Sequence, residues 1–378
     1  MTLAILSNTT WSLLNFRRGL IEALLAEGHE VVTLSPPDQY VARLRQLGVR
    51  YRPLRRLDAK GRNPLQDIRL VREIAGICRE EAVEALFTYT PKGNIYGAAA
   101  AKLAGVRALP TVNGLGHAFV EPGMTSKLLS AMYRVAFRNL PVVFVQNPDD
   151  ARQLVASGAL LDGQVQLVPG SGVNVRSFAP SPLPLAPASG PNSAVRPVRF
   201  LMIARLVREK GVDVYLRAAA RLVDKYPEAV FNLIGMVANN PSAIRPDTLA
   251  ALTAHPRINY LGPTDNVNAA FDDCEVFVLP SYYREGIPRV LLEALAKGKP
   301  IVTTNSTGCR EVVEHGQNGY LVRPRSVDSL AEACARMLSM TAGERAGFGE
   351  TSRTIATLRF DERIVINTML EYLNVAVR

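Results

Sequence analysis

The sequence predicts an α/β protein built from two doubly wound parallel-sheet domains, and three observations carry that expectation. The first is length: at 378 residues the chain exceeds what one hydrophobic core usually supports. The second is alternation. Short β-branched runs, TLAIL, EVVTL, EALFTYT, ALPTV, PVVFVQN and QVQLVP, are separated by helical patterns such as FRRGLIEALLAEGH and NIYGAAAAKLAG. Apolar strands without polar alternation, joined by helices, imply a parallel sheet covered on both faces. The third is a restart. The same alternation begins again at VRFLMIAR and continues through AVFNLIG, INYLG, EVFVLP, PIVTTN and GYLV. Between the halves, SFAPSPLPLAPASGPNSAVRP is dense in Pro, Ala and Ser and predicts a linker. Domains over residues 1–180 and 196–360 follow, each Rossmann-like. The last segment, 361–378, has helical spacing and is expected to return toward the first domain. Two such domains facing across a cleft would hold a pair of substrates at the carboxyl ends of their strands.

Hydrophobic residues at 48% and charged residues at 21% describe an ordinary globular protein. The start, MTLAILSNTTWSLLNFRRG, has no basic segment before its short apolar run, and no stretch approaches the length of a membrane span. A cytoplasmic, non-spanning protein is expected. Cys78, Cys274, Cys309 and Cys334 are widely separated, which points to reduced thiols rather than disulfides or a zinc site. The formal net charge is +10, and residues 1–190 hold 21 Lys and Arg against 14 Asp and Glu. The excess is densest from Arg43 to Arg62, where eight cations are opposed in sequence only by Asp58. A solvated basic face, an anionic membrane and a diphosphate acceptor all fit; nucleic acid does not, because no recognition motif accompanies the charge.

The stretch SYYREGIPRVLLEALAKGKPIV places Glu285 before a helix and Glu293 inside it. Gly286 breaks the chain, Pro288 suits the first turn, and Gly298 with Pro300 marks the stop. Eight residues are about two helical turns, so a bend in the loop lets both carboxylates face one cavity. Ordinary helix electrostatics is the alternative: Glu285 near the positive end of the dipole, and Glu293 between Arg289 and Lys297 at i±4. Upstream, IARLVREKGVDVYLRAA puts Arg205, Lys210 and Gly211 between the second half's first strand and its helix, where an anion would meet free N–H groups and two cations.

ARLVREKG, LGPTDNV, VFVLPSYYREGIPRVLLEALAKGKPIV and TGCREVVEHGQNGYLV occur in the order and spacing of the retaining glycosyltransferases of the GT-B fold, family 4. FTYTPKGNIYGAAAAKLAGV, TVNGLGHAF and VPGSGVNVRSFAP resemble the acceptor-side domain of members that build bacterial polysaccharide and lipid-linked oligosaccharide, lipopolysaccharide among them. The resemblance covers nearly the whole chain. It implies transfer of a hexosyl or N-acetylhexosaminyl group from a nucleotide diphosphate sugar, a UDP-sugar, to a polyprenyl-diphosphate-linked or envelope glycan acceptor. It further implies that Glu293 holds ribose hydroxyls and that Glu285 contacts the donor sugar. Arg205 and Lys210 would hold the diphosphate, with backbone N–H groups near Gly286 and Ile287 assisting. The chain has no D-x-D pattern, so no metal or other cofactor is expected and two cations replace the metal.

Two departures from that pattern matter. Many members carry a histidine where TVNGLGHAF has Asn113, and here the histidine is His117, which either substitutes from the same loop or is a satisfied loop residue. The glycine-rich loop after the first strand is replaced by SNTTWSLLNFRRG, which leaves Asn8, Thr9 and Thr10 as candidate contacts, together with Lys92. A nucleotide-sugar epimerase of the same architecture and a non-catalytic nucleotide-sugar-binding protein are the competing functions. With His29, His117, His255 and His315 as its only histidines, the chain offers an epimerase few acids and bases. Membrane docking through the Arg43–Arg62 segment, at the inner face of the cytoplasmic membrane, would bring the enzyme to a lipid-borne acceptor.

Overall fold

A computed structural model describes residues 1–58, 61, 63–116, 119, 123–181, 196–237 and 240–374. The chain divides into two compact units, Met1–Ser171 with Glu362–Arg378, and Gly172–Asp361. The first unit has seven strands: β1 (Thr2–Leu6), β2 (Glu30–Ser35), β3 (Arg50–Pro53), β4 (Ala85–Tyr89), β5 (Arg107–Val112), β6 (Val143–Val145) and β7 (Val165–Leu167). They form one parallel sheet in the order β3-β2-β1-β4-β5-β6-β7. Alternate residues of β1 explain its unbroken apolar run. Ala4 and Leu6 enter a core with the helices Pro64–Glu80, Pro91–Ala104 and Met124–Phe137. Leu3 and Ile5 enter the opposite core, with Arg18–Ala26 and the last helix, Glu362–Asn374. A strand buried on both faces has no polar side to show.

The second unit has six strands, β8 (Val198–Ile203), β9 (Ala229–Ile234), β10 (Ile258–Tyr260), β11 (Val276–Leu279), β12 (Ile301–Thr304) and β13 (Gly319–Val322). Their order is β10-β9-β8-β11-β12-β13, again parallel throughout. Both sheets therefore reverse direction beside their first strand, at β1/β4 and at β8/β11. Such a switch point splays the connecting loops to opposite faces and leaves a crevice at the carboxyl edge.

The domain boundary falls earlier than the sequence suggests. Residues 172–181 lie in the second unit rather than in a first domain ending at 180, because Val173 pairs with Asp361 and Arg353 donates to the Phe178 carbonyl at 3.2 Å. Of the expected linker, residues 177–197, the stretch 182–195 lies outside the described residues. The strand β3 has no counterpart among the apolar runs. It is an edge strand of sequence RYRP, so one side never meets a neighbour and its arginines reach outward.

That same strand alters the reading of the basic segment. In space Arg50 pairs with Glu30 at 2.8 Å and Glu81 at 3.0 Å, and Arg52 pairs with Glu80 and Glu81. Asp58 is thus not the only opposing charge: carboxylates from β2 and the end of Pro64–Glu80 neutralise the centre of the cluster, which sequence proximity could not reveal. Lys60 and Arg62 lie outside the described residues. All four cysteines are free and buried. Among the described residues no helix is long and apolar enough to cross a membrane.

The terminal helix seals the second core of the first unit with Val365, Met369, Leu370 and the fully buried Leu373. Leu373→Ala is expected to cost about 2–5 kcal/mol of that unit's stability, the range for a leucine truncated in a closed core. Chemical denaturation followed by circular dichroism measures it; an unchanged midpoint would mean that the helix is only loosely attached.

Candidate active site

The β8/β11 switch point brings together residues far apart in sequence. The connection after β8 carries Arg205 and Lys210, and the connection after β11 carries Glu285, Gly286 and Ile287. Lys210 Nζ lies 2.5 Å from Glu285 Oε1, across 75 residues of chain. Both side chains are largely shielded, with 12% and 19% of their surface exposed, so the pair is far less screened than a surface ion pair. Ser281 Oγ donates to the same Glu285 oxygen at 3.1 Å. Arg205, next to the end of β8, is exposed.

Three loops are fixed to one another by their backbones. The N–H groups of Tyr282 and Tyr283 donate to the Glu209 carbonyl at 2.9 and 3.2 Å. Gly211, at φ +76°, sits so close to β11's exit that a Cβ there would lie 2.2 Å from the Pro280 carbonyl oxygen. From the connection after β12, Gly308, at φ +80°, faces Gly286 so closely that a Cβ would lie 1.6 Å from its carbonyl oxygen and 2.9 Å from that of Glu285. Only glycine combines this left-handed conformation with such an approach. The same loop grips the Ser281 carbonyl, which accepts from Thr304 Oγ1 and from Ser306 Oγ at 3.0 Å. Ile287 anchors the far side by burying its side chain in the core. Pro288 caps the helix Arg289–Ala296.

Glu293 occupies the second turn of that helix. Arg289 Nε lies 3.2 Å from its Oε1 and donates through Nη1 to the Gly172 carbonyl at 3.0 Å. Burial pushes the Glu293 carboxyl up to about 7, against the opposing charge and hydrogen bond of Arg289. The second helical neighbour behaves otherwise than the i+4 spacing suggests. Lys297 turns away to Asp272 at 2.8 Å and Ser181 at 3.2 Å, which leaves Arg289 as the cation paired with Glu293. Of the two i±4 pairs that the spacing suggests, Arg289–Glu293 forms and Glu293–Lys297 does not.

The first unit's candidates fall into three places. Thr9 caps the helix Thr10–Phe16 by accepting from Ser12 N at 3.1 Å, and Thr10 bonds to Ser35 at 2.9 Å, so both hydroxyls have structural roles; Asn8 is half-buried beside them. Lys92 pairs with Asp67 at 2.9 Å, and Tyr96 donates to that carboxylate's other oxygen at 2.6 Å. Asn113 Oδ1 accepts from Arg17 and from Gln146, each at 3.3 Å, while the Arg17 guanidinium lies 3.7 Å over the Tyr89 ring. His117 lies outside the described residues. Sequence reasoning did not single out Ser281, Gly308 or Arg17. The one available signal was a strand followed directly by a small-residue loop, which is common in any α/β protein.

Residues 197–340 match the family described as Glycosyl transferases group 1, and residues 15–171 match the Glycosyl transferase 4-like domain. The chain is a glycosyltransferase, with a 4-like domain in its first half and a group 1 domain in its second. Over 380 aligned residues, 98% of each chain, this glycosyltransferase is 27% identical to an N,N'-diacetylbacillosaminyl-diphospho-undecaprenol α-1,3-N-acetylgalactosaminyltransferase of Campylobacter jejuni. It is 24% identical over 72% of its length, and 71% of the relative, to an Escherichia coli UDP-Gal:α-D-GlcNAc-diphosphoundecaprenol α-1,3-galactosyltransferase. Its fold superposes on a Rickettsia africae glycosyltransferase with a TM-score of 0.79 at 16% identity, covering 100% and 98% of the two chains. Anabaena HepE, solved with UDP and glucose, gives 0.78 at 18% identity, covering 99% of each. The two parallel-sheet domains are those of the GT-B class.

Gly308→Ala is expected to dislodge the Glu285–Gly286 loop, because the β-carbon has only backbone to displace. Thermal unfolding should show a lowered Tm. A variant with wild-type Tm would contradict the packing described.

Proposed function

We propose that this glycosyltransferase moves a sugar from a UDP-sugar, with retention at the anomeric carbon, to an acceptor carried on undecaprenol diphosphate. The observation that carries the reading is the shielded Lys210–Glu285 pair at the switch point, with Glu293 in the second turn of the helix that follows. The Campylobacter and E. coli relatives, both named for diphospho-undecaprenol acceptors, support the acceptor class; the UDP bound to Anabaena HepE supports the nucleotide. On this reading the enzyme works peripherally at the inner face of the cytoplasmic membrane.

The roles follow from charge. As the bond between sugar and diphosphate lengthens, negative charge grows on the leaving oxygens and positive charge on the ring. Arg205 and Lys210, aided by the Gly286 and Ile287 N–H groups, stabilise the first without a metal; the Glu285 carboxylate stabilises the second. Glu293 accepts from the ribose hydroxyls while Arg289 fixes its orientation. Asn8, Thr9, Lys92 and Asn113 line the acceptor side, and His117 stands in for the family's loop histidine.

Incubation with a panel of UDP-sugars and an undecaprenol-diphosphate-linked acceptor tests this directly. Transfer with retained configuration by NMR, unaffected by EDTA, is expected. An epimerised nucleotide sugar, an inverted linkage or a strict need for Mn²⁺ would overturn it. Glu285→Gln should lower kcat on the order of 10²–10³ with little change in UDP affinity, as for loss of one preorganised electrostatic group.

Glu293 adds a pH dependence whose sign is fixed. Its carboxyl sits near 7 in the folded protein, above the ordinary value of 4.5, so it takes up its proton at higher pH than an ordinary carboxylate. Ribose binding uses the ionised form, so UDP affinity should drop roughly tenfold from pH 8 to pH 6. Glu293→Gln should bind more weakly at pH 8 and lack this component, with the nucleotide's own titration common to both proteins. Parallel pH profiles for the two would remove Glu293 from the ribose site.

A further inference from the structure

The helix Met124–Phe137 in the first unit has an apolar stripe on its outer face as well as on its core face. At about 100° per residue, Met124, Leu128, Ala131 and Val135 fall within about 60° of one another. That stripe faces solvent: Met124 is 88% exposed, Leu128 63% and Val135 80%. The opposite side, against the core, carries Ser126 and Ser130 beside Tyr133 and Phe137. Leu129, Met132, Tyr133 and Phe137 already close the core side, so the outer stripe is apolar surface that the core does not use, and it points to a second apolar medium beyond the protein surface.

Charge identifies the medium. Lys127, Arg134 and Arg138 flank the apolar stripe, and from Gly123 to Pro148 the sequence contains no aspartate or glutamate. Arg134 is held by the Ser157 and Gly158 carbonyls, both at 2.7 Å, contacts that position its guanidinium without neutralising it. An apolar ridge bordered by cations that form no ion pair among the described residues is the pattern of a helix lying in the headgroup region of an anionic bilayer.

A second helix repeats the pattern. On Pro64–Glu80, Leu65 and Ile68 are 66% and 51% exposed, and the exposed Arg69 and Arg72 share their face. Both helices lie on one side of the parallel sheet, with Pro91–Ala104 between them and in contact with each. Each connects parallel strands, so each starts at the carboxyl edge of the sheet, where ligands of such sheets bind. The exposed apolar residues Leu65, Ile68, Met124 and Leu128 all belong to those starting turns.

We propose that this helix face, and not the Arg43–Arg62 segment, is the surface by which the enzyme docks on an anionic bilayer. The central arginines of that segment, Arg50 and Arg52, are already engaged by Glu30, Glu80 and Glu81, whereas the helix face combines apolar exposure with cations. Docked this way, the carboxyl edge of the acceptor-side sheet lies beside the headgroups from which a lipid diphosphate emerges. The proposal rests on the lipid-linked acceptor assigned above, but vesicle binding can be measured without any acceptor, so the two fail separately.

The experiment is flotation of the full chain with vesicles of phosphatidylglycerol and phosphatidylcholine, or of phosphatidylcholine alone, at low and high salt. Wild type is compared with Met124→Glu/Leu128→Glu and with Arg50→Ser/Arg52→Ser. The exposed positions make the first variant's folding secure, and circular dichroism together with UDP-induced stabilisation checks it. Expected is salt-sensitive binding to the anionic vesicles, weakened at least tenfold in the Met124/Leu128 variant. The same variant should keep turnover on a short-chain, water-soluble acceptor diphosphate and lose it on acceptor embedded in vesicles. The Arg50/Arg52 variant should bind vesicles like wild type. Equal binding by wild type and the Met124/Leu128 variant, or no binding by wild type, overturns the proposal. So does a wild-type dimer in light scattering that this variant converts to monomer with no vesicle binding in either, since the face would then join two copies of the chain.

Discussion

The close backbone approach of Gly308 to Gly286 is the constraint on which the rest of the second unit's site depends. A carboxylate on a loop is useful only if the loop has one position. Here the loop bearing Glu285 is pressed by Gly308 from the connection after β12 and stitched to the Glu209 carbonyl from the connection after β8. Side chains can hop between rotamers; backbones in direct contact cannot. The parallel sheet supplies the framework, because only adjacent parallel strands deliver three connections to one edge. The glycines then remove the Cβ atoms that would hold those connections apart.

Fixed loops make the electrostatics meaningful. Lys210 and Glu285 neutralise each other in a shielded position, and removal of either leaves its partner with a charge that burial penalises. The arrangement is poised for exchange. On the proposed function, an incoming diphosphate competes for Lys210, and the released carboxylate is then next to whatever cationic character develops on a sugar. Glu293 is held differently. Its burial raises its proton affinity, and Arg289 restrains rather than cancels that effect, so the carboxyl sits near neutrality and responds to any ligand that donates hydrogen bonds to it.

Much of the fold was legible because both faces of most strands are buried. TLAIL, VRFLMIAR and the other apolar runs have no reason to exist except between two helical layers, and all six runs of the second half became strands. What escaped was what burial does not mark. The strand β3 lies at an edge and reads as a basic segment, RYRP. Counter-charges for Arg50 and Arg52 come from strands and helices 20 to 31 residues away, invisible to a local count. At the site, residue types were readable and partnerships were not. Glu285 and Lys210 were named from their motifs, but their contact is a product of the strand order. Lys297 was assigned to Glu293 by helical spacing and is claimed instead by Asp272. Thr9 is a candidate contact by its place after the first strand, and its hydroxyl is also the cap of the helix that follows. Helix spacing fixes which side chains are near neighbours, whereas the third dimension decides which of them meet.

A double-mutant cycle on Lys210 and Glu285 tests the central claim, that the two act as one unit positioned by the loops. Transfer rates would be measured for Lys210→Gln, Glu285→Gln and the double variant. The account predicts that the double variant is about as impaired as the worse single one, a coupling well above the few tenths of a kcal/mol expected of independent sites. Losses that simply multiply would show that lysine and carboxylate work separately, and that their contact does not organise the reaction.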